Sequence, residues 1–243
     1  MKGIHLTTAK KMHSANSSRP FTITVEGNIG SGKTTFLNHF KNDSNVLTIS
    51  EPMEQWQNLK GHNLINLLYS DMNKWGFTFQ TYVQLTMTKL HELKTEKSIK
   101  IMERSLFSAR YCFVENMFNE NIISHPELVV LDEWFKWIVQ QKQISCDLIV
   151  YLRTDPEVAY NRILQRDRIE EKSVAFSYIK KLHECHELWL NNKSPDFKCP
   201  APVLTLNANK DLKSMEQEYQ NCRNEVELLN LNSYQEQHSS FSQ

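Results

Sequence analysis

One stretch narrows what this chain can fold into more than any other: Gly27-Asn-Ile-Gly-Ser-Gly32-Lys33-Thr34, which fits the spacing G-x-x-x-x-G-K-[ST]. A loop of this kind works only between a strand and a helix. The setting is present here. Residues 21–26 form a β-type apolar run before it, and residues 35–40 a helix-compatible run after it. Its glycines let successive backbone N–H groups turn toward phosphate oxygens without Cβ clashes. The positive end of the following helix adds to the same site. In such a loop the lysine reaches the β- and γ-phosphates, and the Thr34 hydroxyl ligates Mg²⁺. Gly27, Asn28, Ile29, Gly30, Ser31, Gly32, Lys33, Thr34 and Thr35 are therefore the candidate ATP cradle, with Thr34 as a metal ligand.

The β-rich runs at 21–26, 46–50, 99–103, 147–152 and 203–207 alternate with helix-patterned segments. Alternation of this sort predicts an α/β fold. Runs dense in Ile, Val and Leu read as strands covered on both faces, hence a parallel sheet. The expectation is a P-loop kinase-type three-layer fold: five parallel strands flanked by helices, with an arginine-rich lid. It forms a single domain over residues 20–231, between a basic leader at 1–19 and a polar tail at 232–243, both expected to be disordered. Lys2, Lys10, Lys11 and Arg19 without an acid also fit a weak mitochondrial presequence, so the expected compartment is the cytoplasm, with the mitochondrion as alternative. Apolar residues make up 40% of the 243, enough for a sizeable core. Twenty-eight basic residues balance 28 acidic ones, which argues against a nucleic-acid partner. No apolar run is long enough to cross a bilayer. The five cysteines show no C-x-x-C spacing and read as reduced thiols. Cys185 between His183 and His186 lacks a second cluster to complete a zinc site.

In open α/β sheets, ligands bind beyond the carboxyl ends of the strands. After the second run comes Glu51-Pro52, and the third ends in Glu103-Arg104-Ser105. A hydroxyl nucleophile needs a carboxylate to take its proton. Glu51 is the candidate base, Glu103 a second candidate metal ligand, and Arg104 the group that holds Glu51; the reverse assignment, Glu103 as base, stays open. On a helix over residues 75–93, Phe79, Val83 and Met87 form an apolar stripe with Gln80 near the same face. That stripe is either core or a slot in which an amide reads the edge of a flat base. Arg162, Arg166 and Arg168, followed by Glu170-Glu171, form either an ion-paired helix face or a lid over the triphosphate.

The stretches 23–40, 50–56, 79–87, 100–116 and 147–171 together resemble the deoxyribonucleoside kinase family, its insect multisubstrate branch in particular. The resemblance spans about residues 20–207. It implies ATP as donor with Mg²⁺, a deoxyribonucleoside as acceptor, no nucleic acid or membrane partner, and a homodimer. By position it implies Glu51, Arg104 and Lys33 as catalytic, with Trp56 flanking the base. Tyr69 and Glu171 would hold the sugar 3′-hydroxyl, and Phe79 and Gln80 would stack and read the base. Val83, Met87, Ala109 and Phe113 would line the pocket. Leu164 stands where that branch carries a further lid arginine. Modest pocket side chains and an amide that can present either donor–acceptor order predict use of all four deoxynucleosides, pyrimidines first. A pyrimidine-restricted thymidine kinase is the alternative. A monophosphate kinase would need positive groups near the acceptor, yet helix 75–93 offers only Lys89 and, just past its end, Lys94. A GTP-binding switch would need Asn-Lys-x-Asp, and Asn209-Lys210-Asp211 has its acid one place early.

Overall fold

The computed structural model describes residues 19–172, 174–191 and 195–239. Five strands, β1 (Phe21–Glu26), β2 (Val46–Ile49), β3 (Ile99–Glu103), β4 (Leu148–Arg153) and β5 (Val203–Asn207), form one sheet in the order β2-β3-β1-β4-β5. Every neighbouring pair is parallel, so the expected α/β fold is the observed one. The loop after β1 leads into α1 (Lys33–Phe40), and the β2–β3 connection carries α2 (Met53–Gln57), α3 (Leu64–Ser70) and α4 (Met72–His91). After β3 come α5 (Leu106–Ser108), a π-helical turn (Ala109–Val114), α6 (Glu115–Asn119) and α7 (His125–Gln141). Helices α8 (Pro156–Arg166) and α9 (Phe176–His186) separate β4 from β5, and α10 (Leu212–Ser239) follows β5.

Strand side chains alternate between the faces, and the core divides accordingly. Ile23, Val25, Ile101, Val150 and Leu152 pack with Phe36, Leu37 and Phe40 of α1 and with Met215, Tyr219 and Val226 of α10. On the other face Ile149 and Tyr151 join Val83 and Met87 of α4, Leu131 and Phe135 of α7, and Trp189. Because Val25 pairs with Glu103 and Glu26 with Tyr151, the last residues of β1 and β3 deliver carboxylates to opposite faces at the same end of the sheet.

Several boundaries differ from expectation for local reasons. Helix α4 starts at Met72 rather than 75 because the Asp71 side chain caps it, accepting from Lys74 N. Strand β4 starts at Leu148 because Asp147 turns its carboxylate back to Thr22 N and to Arg19. Arg19, counted with the leader by composition, is thus paired to the domain, while residues 1–18 lie outside the described residues. Strand β2 stops at Ile49, which frees Ser50 and Glu51. The polar stretch from 232 continues α10 as far as Ser239, since no Gly or Pro interrupts 212–239; 240–243 lie outside the described residues.

Candidate active site

Arg104 ties the carboxyl ends of three strands together. It follows β3 with a left-handed backbone, φ 61°. Its Nε is 2.8 Å from Glu51 Oε1, beyond the end of β2. Its guanidinium also donates to Gly27 O, beyond the end of β1, at 2.8 Å. The ring of Phe113 lies under it, 4.7 Å away. Ser105 then caps α5, accepting from Phe107 N and Ser108 N, which fixes the turn that aims the arginine.

The glycine loop has the shape its sequence requires. Gly30 has φ 81°, and a Cβ there would sit 2.3 Å from Ala159 O of α8; one at Gly27 would sit 2.7 Å from Leu152 O. Only glycine fits either place. Asn28 binds the loop to α9, donating to Ile179 O at 2.8 Å and accepting from Ile29 N. Lys33 is buried and donates to Asn28 O at 2.8 Å and Gly27 O at 3.2 Å, so it caps the loop from within. Burial, then the charge of Arg104, pulls its ammonium down to about 7. An arriving polyphosphate reverses that balance, because anions favour the charged lysine. The Thr34 hydroxyl donates to Glu103 at 2.9 and 3.2 Å. Burial and the neighbouring Glu51 push the Glu103 carboxyl up. These hard oxygens suit Mg²⁺, which takes one or two protein oxygens and completes its shell from phosphates and water. Ser31 is buried inside the loop; Gly32 precedes α1, in whose first turn Thr35 is exposed and is not among the residues lining the cavity.

A cavity of about 450 Å³ opens in front of the loop, lined by Ile29, Gly30, Lys33, Thr34, Glu51, Trp56, Tyr69, Phe79, Gln80, Glu103, Arg104, Phe113, Met117, Arg166, Arg168 and Glu171. A smaller recess of about 50 Å³ lies alongside, lined by Glu51, Trp56, Phe79, Gln80, Val83, Met87, Arg104, Ser105, Ala109 and Phe113. The stripe on α4 is therefore both core and pocket wall: Phe79, Val83 and Met87 are buried and still line the recess. Trp56 is pinned by its Nε1–H on Thr86 Oγ1 at 2.9 Å and meets the Phe79 ring edge-on at 5.7 Å. Burial, then the negative charge of Glu171, pushes the Tyr69 hydroxyl up to about 12, so it stays a neutral donor.

The lid reading divides. Arg166 holds Glu171 through two hydrogen bonds of 2.7 and 2.5 Å, and Arg168 lies 3.7 Å from the same carboxylate. Arg162 does not line the cavity; its guanidinium donates to Ala208 O and Lys210 O beyond β5. Leu164 points outward, 58% exposed. Sequence reasoning missed Glu26, the last residue of β1, which is fully buried and accepts from Ser105 at 2.5 Å. Burial pushes its carboxyl up to about 7. It also missed Gln57, which donates to Glu170 at 2.8 Å, and Met117. Each depends on a partner distant in sequence, which no local pattern marks.

A phosphate loop, a carboxylate–arginine pair and an apolar recess with an amide at its edge are thus assembled at one end of a parallel sheet. The family model for deoxynucleoside kinases matches residues 23–230. Mitochondrial thymidine kinase 2 of Homo sapiens is 45% identical over 204 residues, 84% of this chain and 77% of that protein. Deoxycytidine kinase of Mus musculus is 33% identical over 229 residues, 82% of this chain and 88% of that protein. Mitochondrial deoxyguanosine kinase of Xenopus laevis is 31% identical over 219 residues, 79% and 83% of the two chains. This chain belongs to the deoxynucleoside kinase family.

Proposed function

We propose that the protein is a broad-specificity deoxyribonucleoside kinase, moving the γ-phosphoryl group of ATP to the 5′-hydroxyl of all four deoxynucleosides, pyrimidines first. The carrying observation is that Glu51 lines both the large cavity and its apolar recess. A nucleoside with its base in the recess has its sugar at Glu51, on the side facing the phosphate loop. Glu51 takes the 5′-hydroxyl proton as the oxygen attacks the γ-phosphorus. Arg104, bound to Glu51 and to Gly27 O, aligns base and loop and faces the developing charge. Lys33 is the loop's cation for the phosphates, and Arg166 and Arg168 close from the lid. Thr34 and Glu103 would hold Mg²⁺, which neutralises phosphate charge when bound. Both Glu103 oxygens lie within reach of the Thr34 hydroxyl, which favours Glu51 over Glu103 as the base. Tyr69 and Glu171 line the same cavity and in this reading bind the 3′-hydroxyl.

The decisive assay is phosphoryl transfer from ATP with Mg²⁺ to thymidine, deoxycytidine, deoxyadenosine and deoxyguanosine. Turnover of all four supports the proposal. Turnover confined to thymidine and deoxycytidine would establish the pyrimidine-restricted alternative, which the small recess favours, and strict thymidine use would refute the four-substrate reading. Hydrolysis of ATP independent of any nucleoside would overturn both.

The proposal includes a homodimer. Helix α7 exposes Val129, Val130, Trp134 and Trp137, each 45–52% accessible, with the tryptophan rings 5.8 Å apart. A subunit interface covers such a patch. Light scattering at micromolar concentration gives twice the chain mass if this holds, and a monomer refutes it. Among the described residues no helix is long and apolar enough to cross a membrane. The proposed compartment is the cytoplasm; the mitochondrial names of two relatives favour a second reading. Imaging of the full chain with a C-terminal tag separates them.

A further inference from the structure

Two glutamines on α4, one turn apart, are held in opposite ways. Gln84 is 3% exposed and its Nε2 donates to Leu131 O at 2.9 Å, a firm bond that fixes the amide. Gln80 is 2% exposed, and among the described residues its only hydrogen-bond partner is the thioether of Met117, 3.8 Å from Nε2. Its Oε1 is buried with no hydrogen-bond partner among the described residues. Met117 is itself fully buried on α6 and lines the large cavity beside Gln80. A thioether sulfur is a weak acceptor. The amide nearest the recess is therefore the one that the protein leaves loose.

That looseness has a chemical use. Thymine presents an N–H donor beside a carbonyl acceptor. Cytosine presents a ring-nitrogen acceptor beside an amino donor, the reverse order. One amide pairs with both only by turning half a revolution and exchanging its oxygen and nitrogen. A strong acceptor in place of the sulfur would hold the amide N–H and fix one order.

We propose that Met117 is a specificity-determining residue: its thioether leaves the Gln80 amide free to turn, so that one pocket accepts both pyrimidines. The inference rests on the proposed reading of Gln80 as the group that meets the base edge.

The test compares kcat/KM for thymidine and deoxycytidine in Met117→Glu, Met117→Leu and Gln80→Leu enzymes. A carboxylate at 117 accepts the amide N–H strongly, so Met117→Glu shifts the ratio of the two substrates by about tenfold or more, because a wrongly ordered amide leaves buried polar groups unpaired. Met117→Leu removes an acceptor that was not fixing anything, so the ratio stays within about threefold. An unchanged ratio in Met117→Glu overturns the inference, as does a shift in Met117→Leu of the size expected for the carboxylate. If Met117→Glu does not fold, as its melting curve would report, the leucine variant decides alone by the same limits. Gln80→Leu separates the two levels. If it leaves both substrates within about threefold of wild type, the base-reading role of Gln80 falls. If it lowers both while Met117→Glu keeps the ratio, only the role of Met117 falls.

Discussion

Replacing Glu51 with glutamine separates catalysis from structure, because the geometry assigns the two very different costs. The amide has nearly the shape of the carboxylate and its oxygen can still accept from Arg104 Nε, now 2.8 Å from Glu51 Oε1. What is lost from the fold is the charge assistance of one hydrogen bond, about 1 kcal/mol. Arg104 keeps its bond to Gly27 O and its contact with Phe113. For a chain of this size that corresponds to a fall in Tm of about 2–4 °C. An amide takes no proton from the attacking hydroxyl, however, and loss of a general base costs about 10²–10⁴ in rate, or roughly 3–5 kcal/mol of transition-state stabilisation. The Glu51→Gln enzyme is therefore expected to melt almost normally and to bind thymidine with little change, yet to turn over at least a hundredfold more slowly. A coupled ADP-release assay gives kcat, and a thermal melt gives the rest. A kcat within about tenfold of wild type would refute Glu51 as base. The parallel Glu103→Gln enzyme should instead need more Mg²⁺ for half-maximal activity and recover part of its rate at saturating metal.

Other perturbations probe other parts. Met87→Arg fills the inner wall of a recess of only about 50 Å³, so purine kcat/KM should fall before pyrimidine kcat/KM; equal losses would contradict the pocket assignment. Arg166→Ala releases Glu171 and should cut kcat by about tenfold or more, whereas Arg162→Ala, which loses only the Ala208 and Lys210 carbonyls, should leave kcat within about threefold; steady-state kinetics on both variants would expose a reversed order. Glu26 gives a pH signature. Its carboxyl, raised from the ordinary 4.5 to about 7 by burial, binds its proton more tightly in the folded protein. Its contribution to stability is thus full below the unfolded value and is lost as pH rises through about 7, about 3 kcal/mol at most. Urea unfolding at several pH values between 4.5 and 7.5 should show that loss in wild type and a shallower slope in Glu26→Gln; parallel slopes would refute it.

How much of this was readable in the chain follows from how local each signal is. The glycine spacing of 27–34 and the apolar runs of β1, β3 and β5 are properties of a few consecutive residues, so loop and strands stood out. Glu51 and Arg104 could be picked by place, because a strand's last residues face the ligand end of a parallel sheet. Phe79, Val83 and Met87 were legible as a stripe, but periodicity alone could not say whether it was wall or core, and it is both. Arg162 and Arg166 share α8 four residues apart and looked alike. Only the arrival of the segment after β5 turns one toward Ala208 and leaves the other for Glu171. Glu26 reads as one more residue of an apolar strand until Ser105, 79 positions later, is seen to reach it.

The distribution of strain points the same way. Arg104 has φ 61°, a left-handed conformation costing a side-chain-bearing residue of order 1 kcal/mol or more. Glycine would remove that cost, and the chain uses glycine three times in the loop nearby. A glycine at 104 would, however, lose the ion pair to Glu51, the bond to Gly27 O and the stack on Phe113. The backbone is held in its unfavourable form from both sides: Arg104 N bonds Val25 O, and Ser105 is locked by its cap and by Glu26. Lys60, Asn121, Gln143 and Asp167 also have positive φ, each in a turn; Arg104 is the one of the five placed where three strand ends meet, and its side chain reaches all of them. That is the pattern expected when a turn is fixed by what its side chain must reach rather than by what its backbone prefers.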